Sequence, residues 1–274
     1  MKILFIGDIV GKPGRDTVSH IIPTIKKKYN PDLILANGEN ASHGSGITGE
    51  HLEELLRSGI NLLTSGNHIW QKKEIVPFIE KKESQIIRPA NYSIYAPGKG
   101  YQIIKTSLMK NVLVINLIGR VFFAKQYENP FHAVTKILDD HKHINLDAII
   151  VDFHAEATSE KIAMMHYLDG KVSAIIGTHT HVPTADYHVT DNHTAYITDV
   201  GMTGLGYKNS IIGVNKESVL YNFITQMPVK HKITDGPTDF NSVLITIEDD
   251  KKATEIIPIN YFDIENMSSA FNKD

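Results

Sequence analysis

The stretch Ile175-Ile176-Gly177-Thr178-His179-Thr180-His181 decides how the chain is read. The apolar residues 172–176 read as a strand that runs into a glycine and then presents two histidines one residue apart. In an extended backbone, side chains at i and i+2 leave the same face, so His179 and His181 are expected to converge on one spot. Neutral imidazole is the commonest metal ligand in proteins. A lone His-X-His is more often a pair of solvent-facing side chains. Here four other apolar runs finish in the same way, and that turns the reading toward a metal.

Working outward from this stretch, residues 2–6 form a buried-type strand ending in Gly7-Asp8. Residues 32–36 end in Asn37-Gly38-Glu39-Asn40, residues 61–64 in Ser65-Gly66-Asn67-His68, and residues 147–151 in Asp152-Phe153-His154. Helical spacing falls between these runs. Val18, Ile21, Ile22 and Ile25 mark a helix within 13–29, with Pro23 expected to kink or break it. Further helices are expected at 50–58, 129–141, 158–167 (capped by Thr158 or Ser159) and 216–224. Repeated strand, turn and helix imply an α/β fold with parallel strands and right-handed crossovers. Hairpins are expected over 101–106 with 111–117, 188–190 with 193–198, and 243–248 with 253–259. No repeat or linker divides the chain, so 1–274 reads as one domain.

Composition narrows the function classes. A chain of 274 residues that is 42% hydrophobic can bury a sizeable core. The 28 basic and 31 acidic residues leave a net charge of −3, which offers no basic footprint for a nucleic-acid duplex. The lysines at 26–28 and 81–82 fall at helix ends, where cations suit the dipole. With no cysteine, disulfides, thiolate metal sites and cysteine nucleophiles are excluded. No apolar run reaches the roughly 18 residues of a membrane span, and residues 3–6 are too few for a signal segment. The expected location is the cytoplasm.

Each strand end taken alone has a plain explanation. Asp8 after Gly7 suits a turn or cap, Glu39-Asn40 a helix cap, Asn67 a left-handed turn, and His154 a hydrogen-bonded core position. Together, Asp8, Glu39, Asn40, Asn67, His154, His179 and His181 are seven oxygen or nitrogen donors at the carboxyl ends of strands, where open α/β sheets bind ligands. Zinc needs roughly four ligands, so seven donors fit two ions sharing a carboxylate better than one. Two ions roughly 3.5–4 Å apart are the arrangement used for in-line phosphoryl displacement. His68, beside Asn67, is then a candidate proton donor to a leaving oxygen, worth roughly 10²–10⁴-fold, or alternatively a group that only binds phosphate.

These blocks resemble the calcineurin-like metallophosphoesterases. Residues 7–15 (Gly7-Asp8-Ile9-Val10-Gly11-Lys12-Pro13-Gly14-Arg15), Asn37-Gly38-Glu39-Asn40-Ala41 and Asp199-Val200-Gly201-Met202-Thr203-Gly204 are more closely similar to the YmdB-like branch. Val10 stands where the wider superfamily has a histidine, Glu39 where it has an aspartate, and Ile69 where an acid follows Asn-His. The YmdB-like branch shares these departures.

The resemblance implies a four-layer α/β/β/α sandwich with the metal site at the C-terminal ends of the strands. It further implies that Asp8, Glu39, Asn40 and His181 hold one ion, and that Glu39, Asn67, His154 and His179 hold the other. Two ions are implied, iron first, manganese exchangeable with it, zinc less so. The activity implied is phosphodiester hydrolysis of cyclic nucleotides, 2′,3′-cyclic forms included, by attack of a bridging hydroxide with His68 as proton donor. The alternatives are a phosphomonoesterase or protein phosphatase with the same ions, and a nucleotide-sensing regulatory protein. The substrate is thus expected to be a small phosphodiester, with no membrane or duplex nucleic acid as partner and room for a homo-oligomer. Residues 41–49, Trp70 and the loop 202–206 are candidates to line a base or ribose pocket, although core packing is the plainer reading of Trp70. Tyr92, Tyr95, Phe122 and Phe123 suit an interface or the core equally.

Overall fold

Ile3 to Ile6 are four successive apolar residues, and such a run is buried on both faces only inside a sheet. A computed structural model, describing residues 1–230 and 232–265, shows this run as the strand β1 (Lys2–Ile6). In chain order there follow β2 (Asp8–Ile9), α1 (Gly11–Tyr29), β3 (Leu33–Asn37), α2 (Gly49–Arg57), β4 (Leu62–Thr64) and α3 (Val76–Ile79). Next come β5 (Tyr101–Lys105), β6 (Asn111–Ile118), α4 (Pro130–His141), β7 (Ala148–His154), α5 (Thr158–Leu168) and β8 (Ala174–Thr178). The rest is β9 (His188–Val189), β10 (Ala195–Ile197), β11 (Met202–Leu205), β12 (Ser210–Ile211), β13 (Val214–Asn215), α6 (Lys216–Thr225), β14 (Thr238–Ile247) and β15 (Ala253–Ile264).

The fold is mixed α/β with two large sheets. One runs β2-β11-β14-β1-β3-β4, with β15 pairing β14; β1, β3 and β4 are parallel, and β14 is antiparallel to β1. The other runs β5-β6-β7-β8-β10-β9, parallel in the middle with an antiparallel strand at each edge. Alternate residues along the strands part to different cores, as a side-chain period of two requires. Leu4 and Ile6 of β1 join Val18, Ile21, Ile22 and Ile25 of α1, whereas Ile3 and Phe5 join Val112, Val114, Ile150 and Ile176 of the second sheet. On the far side, Leu113, Ile115 and Leu117 of β6 meet Val134 of α4 and Met164 of α5. Among the described residues, no helix is long and apolar enough to cross a membrane.

Three expectations change. Helix α1 continues through Pro23 rather than breaking. Proline inside a helix costs about 3 kcal/mol, but Ile21, Ile22 and Ile25 are buried on either side of it at about 1.5–3 kcal/mol each. Helix α5 has Ala157 at its N-cap with no side-chain cap, so neither Thr158 nor Ser159 serves there. Residues 202–205 are the buried strand β11 and not a loop.

Candidate metal centre

Register delivers the ligands. Strands β7 and β8 pair with His154 opposite Thr178, so His154 and the histidines after Thr178 emerge side by side. Asp8 lies in its own short strand, where it pairs with Met202. The step from β1 to β2 requires Gly7, because a Cβ there would overlap the carbonyl of Gly201. Gly66 is as constrained: a Cβ would overlap Glu39 Oε2 and the His154 ring, so only glycine lets the Asn67-His68 turn lie against them.

His179 and His181 do not share a face of an extended strand. Strand β8 stops at Thr178, and both histidines have left-handed backbones, φ 103° and 67°. The turn sends them to different partners. His179 Nδ1 lies 3.0 Å from His154 Nε2, whereas His181 Nε2 lies 3.1 Å from Asn40 Nδ2 and 3.8 Å from Asp8 Oδ1.

All seven predicted donors meet at this place. His154 Nε2 is 3.1 Å from both Asn67 Oδ1 and Glu39 Oε1. Among the described residues, Glu39, His154 and His179 are the one group of three such side chains whose ligand atoms lie within 4.8 Å of one another. Asp8 Oδ2 accepts the His179 N–H at 3.2 Å, while Asp8 Oδ1 is buried with no hydrogen bond among the described residues. The Asn40 oxygen accepts from His68 Nδ1 at 2.8 Å, so its amide nitrogen faces the centre. The His68 main-chain N–H donates to Glu39 Oε2 at 3.0 Å, and the ring stays partly exposed.

The outward nitrogen of each imidazole is spoken for. His154 Nδ1 donates to Thr178 Oγ1 at 2.9 Å, which in turn donates to Asp152 Oδ1 at 2.8 Å. His179 Nε2 meets Glu156 Oε2 at 3.0 Å, and His181 Nδ1 donates to the Ile212 carbonyl at 2.9 Å. These partners turn Nε2 of His154, Nδ1 of His179 and Nε2 of His181 inward; His154 Nε2 faces Glu39 Oε1, Asn67 Oδ1 and His179 Nδ1, while His181 Nε2 takes the Asn40 amide N–H. Acceptors aimed at acceptors repel unless a cation lies among them. A nitrogen and oxygen donor set around an orphaned carboxylate oxygen therefore fits divalent or trivalent metal ions.

The electrostatics agree. Burial raises the Asp8 carboxyl above its ordinary value. Burial works the same way on Glu39, but His154 and His68 outweigh it and hold Glu39 well below the carboxylate range. Burial would lower His154, yet Glu39 and Asp8 pull it up to about 9, a measure of how strongly the site attracts positive charge. His179 is pushed down to about 3 by burial and by His154 beside it. Asp152, buried behind His154, is raised to about 7.

Sequence reading missed the supports. Glu156 lies two residues past His154 and carries no pattern of its own. Lys161 of α5 and Asp199 form a fully buried ion pair at 2.7 Å; Asp199 also accepts the Thr180 and Gly201 N–H groups, bracing the turn between the two histidines. Such a pair from distant segments has no local signature. Trp70 is half-buried, its ring edge-on to Tyr92 at 6.2 Å. Tyr95 and Phe122 are exposed, so core packing does not account for them. Phe123 instead packs on the His179 ring at 5.0 Å.

Known proteins resemble the chain along its length. The family described as YmdB-like protein matches residues 4–259. The 2′,3′-cyclic-nucleotide 2′-phosphodiesterase of Bacillus subtilis is 45% identical over 257 residues, covering 93% of this chain and 95% of that protein. A putative phosphatase/phosphodiesterase of Mycoplasma pneumoniae is 36% identical over 254 residues, covering 90% and 88%. Among solved structures, a novel phosphatase from Mycoplasma pneumoniae superposes with a TM-score of 0.89 at 35% identity, covering 97% of this chain and 94% of that one. A 5′-nucleotidase precursor from Thermus thermophilus shares the fold alone, with a TM-score of 0.56 at 12% identity over 96% of this chain and 54% of that one. With the match running over most of its length, the chain belongs to the YmdB-like family.

Proposed function

We propose that the protein is a dinuclear-metal phosphodiesterase that hydrolyses 2′,3′-cyclic nucleotides. The observation that carries this reading is the gathering of Glu39 Oε1, Asn67 Oδ1 and His179 Nδ1 on His154 Nε2, with Asp8 Oδ1 buried and without a hydrogen bond among the described residues, joined to the activity named for the Bacillus subtilis relative. The chain is read as one domain over 1–274, a four-layer α/β/β/α sandwich with the centre at the C-terminal strand ends. Its support is the one apolar cluster drawn from both sheets and the two that combine sheet and helix residues.

In this reading Asp8, Glu39, Asn40 and His181 hold one ion, and Glu39, Asn67, His154 and His179 hold the other, with Glu39 shared. Asn40 would turn its amide over to present oxygen. The donor set admits iron or manganese, with zinc third. Such ions, when bound, supply an activated water nucleophile and neutralise charge on the phosphoryl oxygens. The chain's own part is positioning and proton transfer. With its amide so turned, Asn40 would donate from Nδ2 to His68 Nδ1, which sets the ring proton on Nε2; Nε2 has no hydrogen bond among the described residues and would protonate the departing ribose oxygen. Cleavage of the bond from phosphorus to the 2′ oxygen would leave a 3′-nucleotide.

The test is hydrolysis of adenosine 2′,3′-cyclic phosphate by protein purified without chelators, with products resolved and metals counted. Fewer than two ions per chain at full occupancy would undermine the shared site. The Mycoplasma pneumoniae structure described as a phosphatase favours a phosphomonoesterase as second reading. Bis-p-nitrophenyl phosphate and p-nitrophenyl phosphate assayed side by side separate the two; faster turnover of the monoester would reject the diesterase.

A further inference from the structure

The segment joining β6 to α4 is tied down by hydrogen bonds at both ends. At its start, Gly119 N donates to the His154 carbonyl at 2.9 Å, and Arg120 N and Val121 N donate to the Glu160 carboxylate at 2.9 and 3.3 Å. At its end, Asn91 Nδ2 donates to the carbonyls of Ile118 and Glu128, and the Asn91 carbonyl accepts Glu128 N. Two consecutive phenylalanines lie between these anchors and behave differently. Phe123 turns inward, 5.0 Å from the His179 ring and 5.9 Å from the Tyr127 ring. Phe122 is turned outward on a left-handed backbone (φ 66°) and is 84% exposed.

An outward aromatic ring on a left-handed backbone is unfavourable twice over: the φ is strained and the apolar ring is wetted. The anchored ends hold this arrangement beside the metal centre, where an incoming apolar face would relieve the wetting. We infer that Phe122, braced by Phe123, is the stacking platform for the nucleobase of the substrate, which makes it a specificity-determining residue. The inference rests on the cyclic-nucleotide reading above. In a 2′,3′-cyclic nucleotide the phosphate and the base are attached to one ribose. A phosphate at His154 and His179 therefore places the base one sugar away, at the neighbour of the ring that packs on His179. Stacking tolerates every base because each has a π-face. The platform would therefore accept all four nucleosides, with purines favoured for their larger face.

Two measurements test it. First, kcat/KM is compared for adenosine 2′,3′-cyclic phosphate and for the base-free methyl riboside 2′,3′-cyclic phosphate. Phe122→Ala should lower the ratio of the two by about 5- to 100-fold, through KM, and Phe122→Trp should restore it. An unchanged ratio, or equal loss on both substrates, would overturn the platform. So would a change of oligomeric state with the ratio intact, which would assign the ring to a subunit contact. Second, the extra tryptophan of Phe122→Trp should be quenched by adenosine 3′-phosphate and not by ribose phosphate. That readout needs no turnover, so it stands even where the hydrolysis reading fails; absence of the quench overturns the platform.

Discussion

The two halves of the centre are built differently. On the His179 side, Glu39, Asn67, His154 and His179 interlock at 3.0–3.1 Å, and a buried chain from His154 through Thr178 to Asp152 stands behind them. Asn37 Nδ2 donates to the same Asp152 at 3.0 Å, which ties the two sheets together at that point. On the His181 side, Asp8 Oδ1 has no hydrogen bond among the described residues, His181 is 3.8 Å from it, and the ring is held by the Asn40 amide and by one main-chain carbonyl, Ile212, between the short strands β12 and β13. One half is interlocked by side chains from both sheets, whereas the His181 ring of the other leans on the hairpin of β12 and β13 and on Asn40. The contrast leads us to expect a tightly held ion on the His179 side and an exchangeable one on the His181 side.

The largest effect expected is from Glu39→Ala. As the carboxylate proposed to be shared, its loss should strip both ions and bring diester hydrolysis to background; near-normal metal content would refute the sharing. Next come the histidines. His181→Ala should leave about one ion per chain where two are proposed, with the remaining ion slow to exchange. His154→Ala should instead leave the labile one. Equal exchange rates in the two variants, followed by chelator competition, would erase the contrast between the halves.

His68→Ala should leave metal content intact and lower kcat by roughly 10²–10⁴-fold. The loss should be smallest on substrates with a good leaving group such as p-nitrophenolate. Full activity on a poor leaving group would remove His68 from the proton-donor role. The smallest effect is assigned to Glu156→Gln. Outer partners of a ligating histidine typically contribute about 10–100-fold in affinity, and only the ion on the His179 side should weaken. Titration of metal-free protein reads this directly, and weakening of both ions would show that the halves are not independent.

How much of this was legible beforehand follows from where each signal lies. Asp8, Glu39, Asn67, His154 and the two histidines could be found because each closes an apolar run that the sequence displays by itself. The division of His179 and His181 was implied by the family resemblance and not by strand alternation, which assumes an extended backbone where both residues turn left-handed. Glu156, Lys161 and Asp199 escaped because their roles exist only after distant segments pack: Lys161 and Asp199 are thirty-eight positions apart and yet share a buried ion pair. Helix α1 exposes the limit of a local rule, because tertiary burial of Ile21, Ile22 and Ile25 overrides the proline between them. The two parallel runs and the closing hairpin were readable from period and turn chemistry alone.

The left-handed pair at His179 and His181 has a thermodynamic consequence. Each such conformation at a non-glycine residue costs on the order of 1–3 kcal/mol, and here it is held by Asp8 accepting the His179 N–H, Asp199 accepting the Thr180 N–H and Ile212 accepting from His181. Whatever binds the resulting arrangement and not the unfolded chain shares the burden of maintaining it, by about 2.7 kcal/mol at a hundredfold excess over Kd. Metal ions would then be as much a folding ligand as a reagent. A chelator should act on this protein as a mild denaturant, lowering its Tm together with its activity.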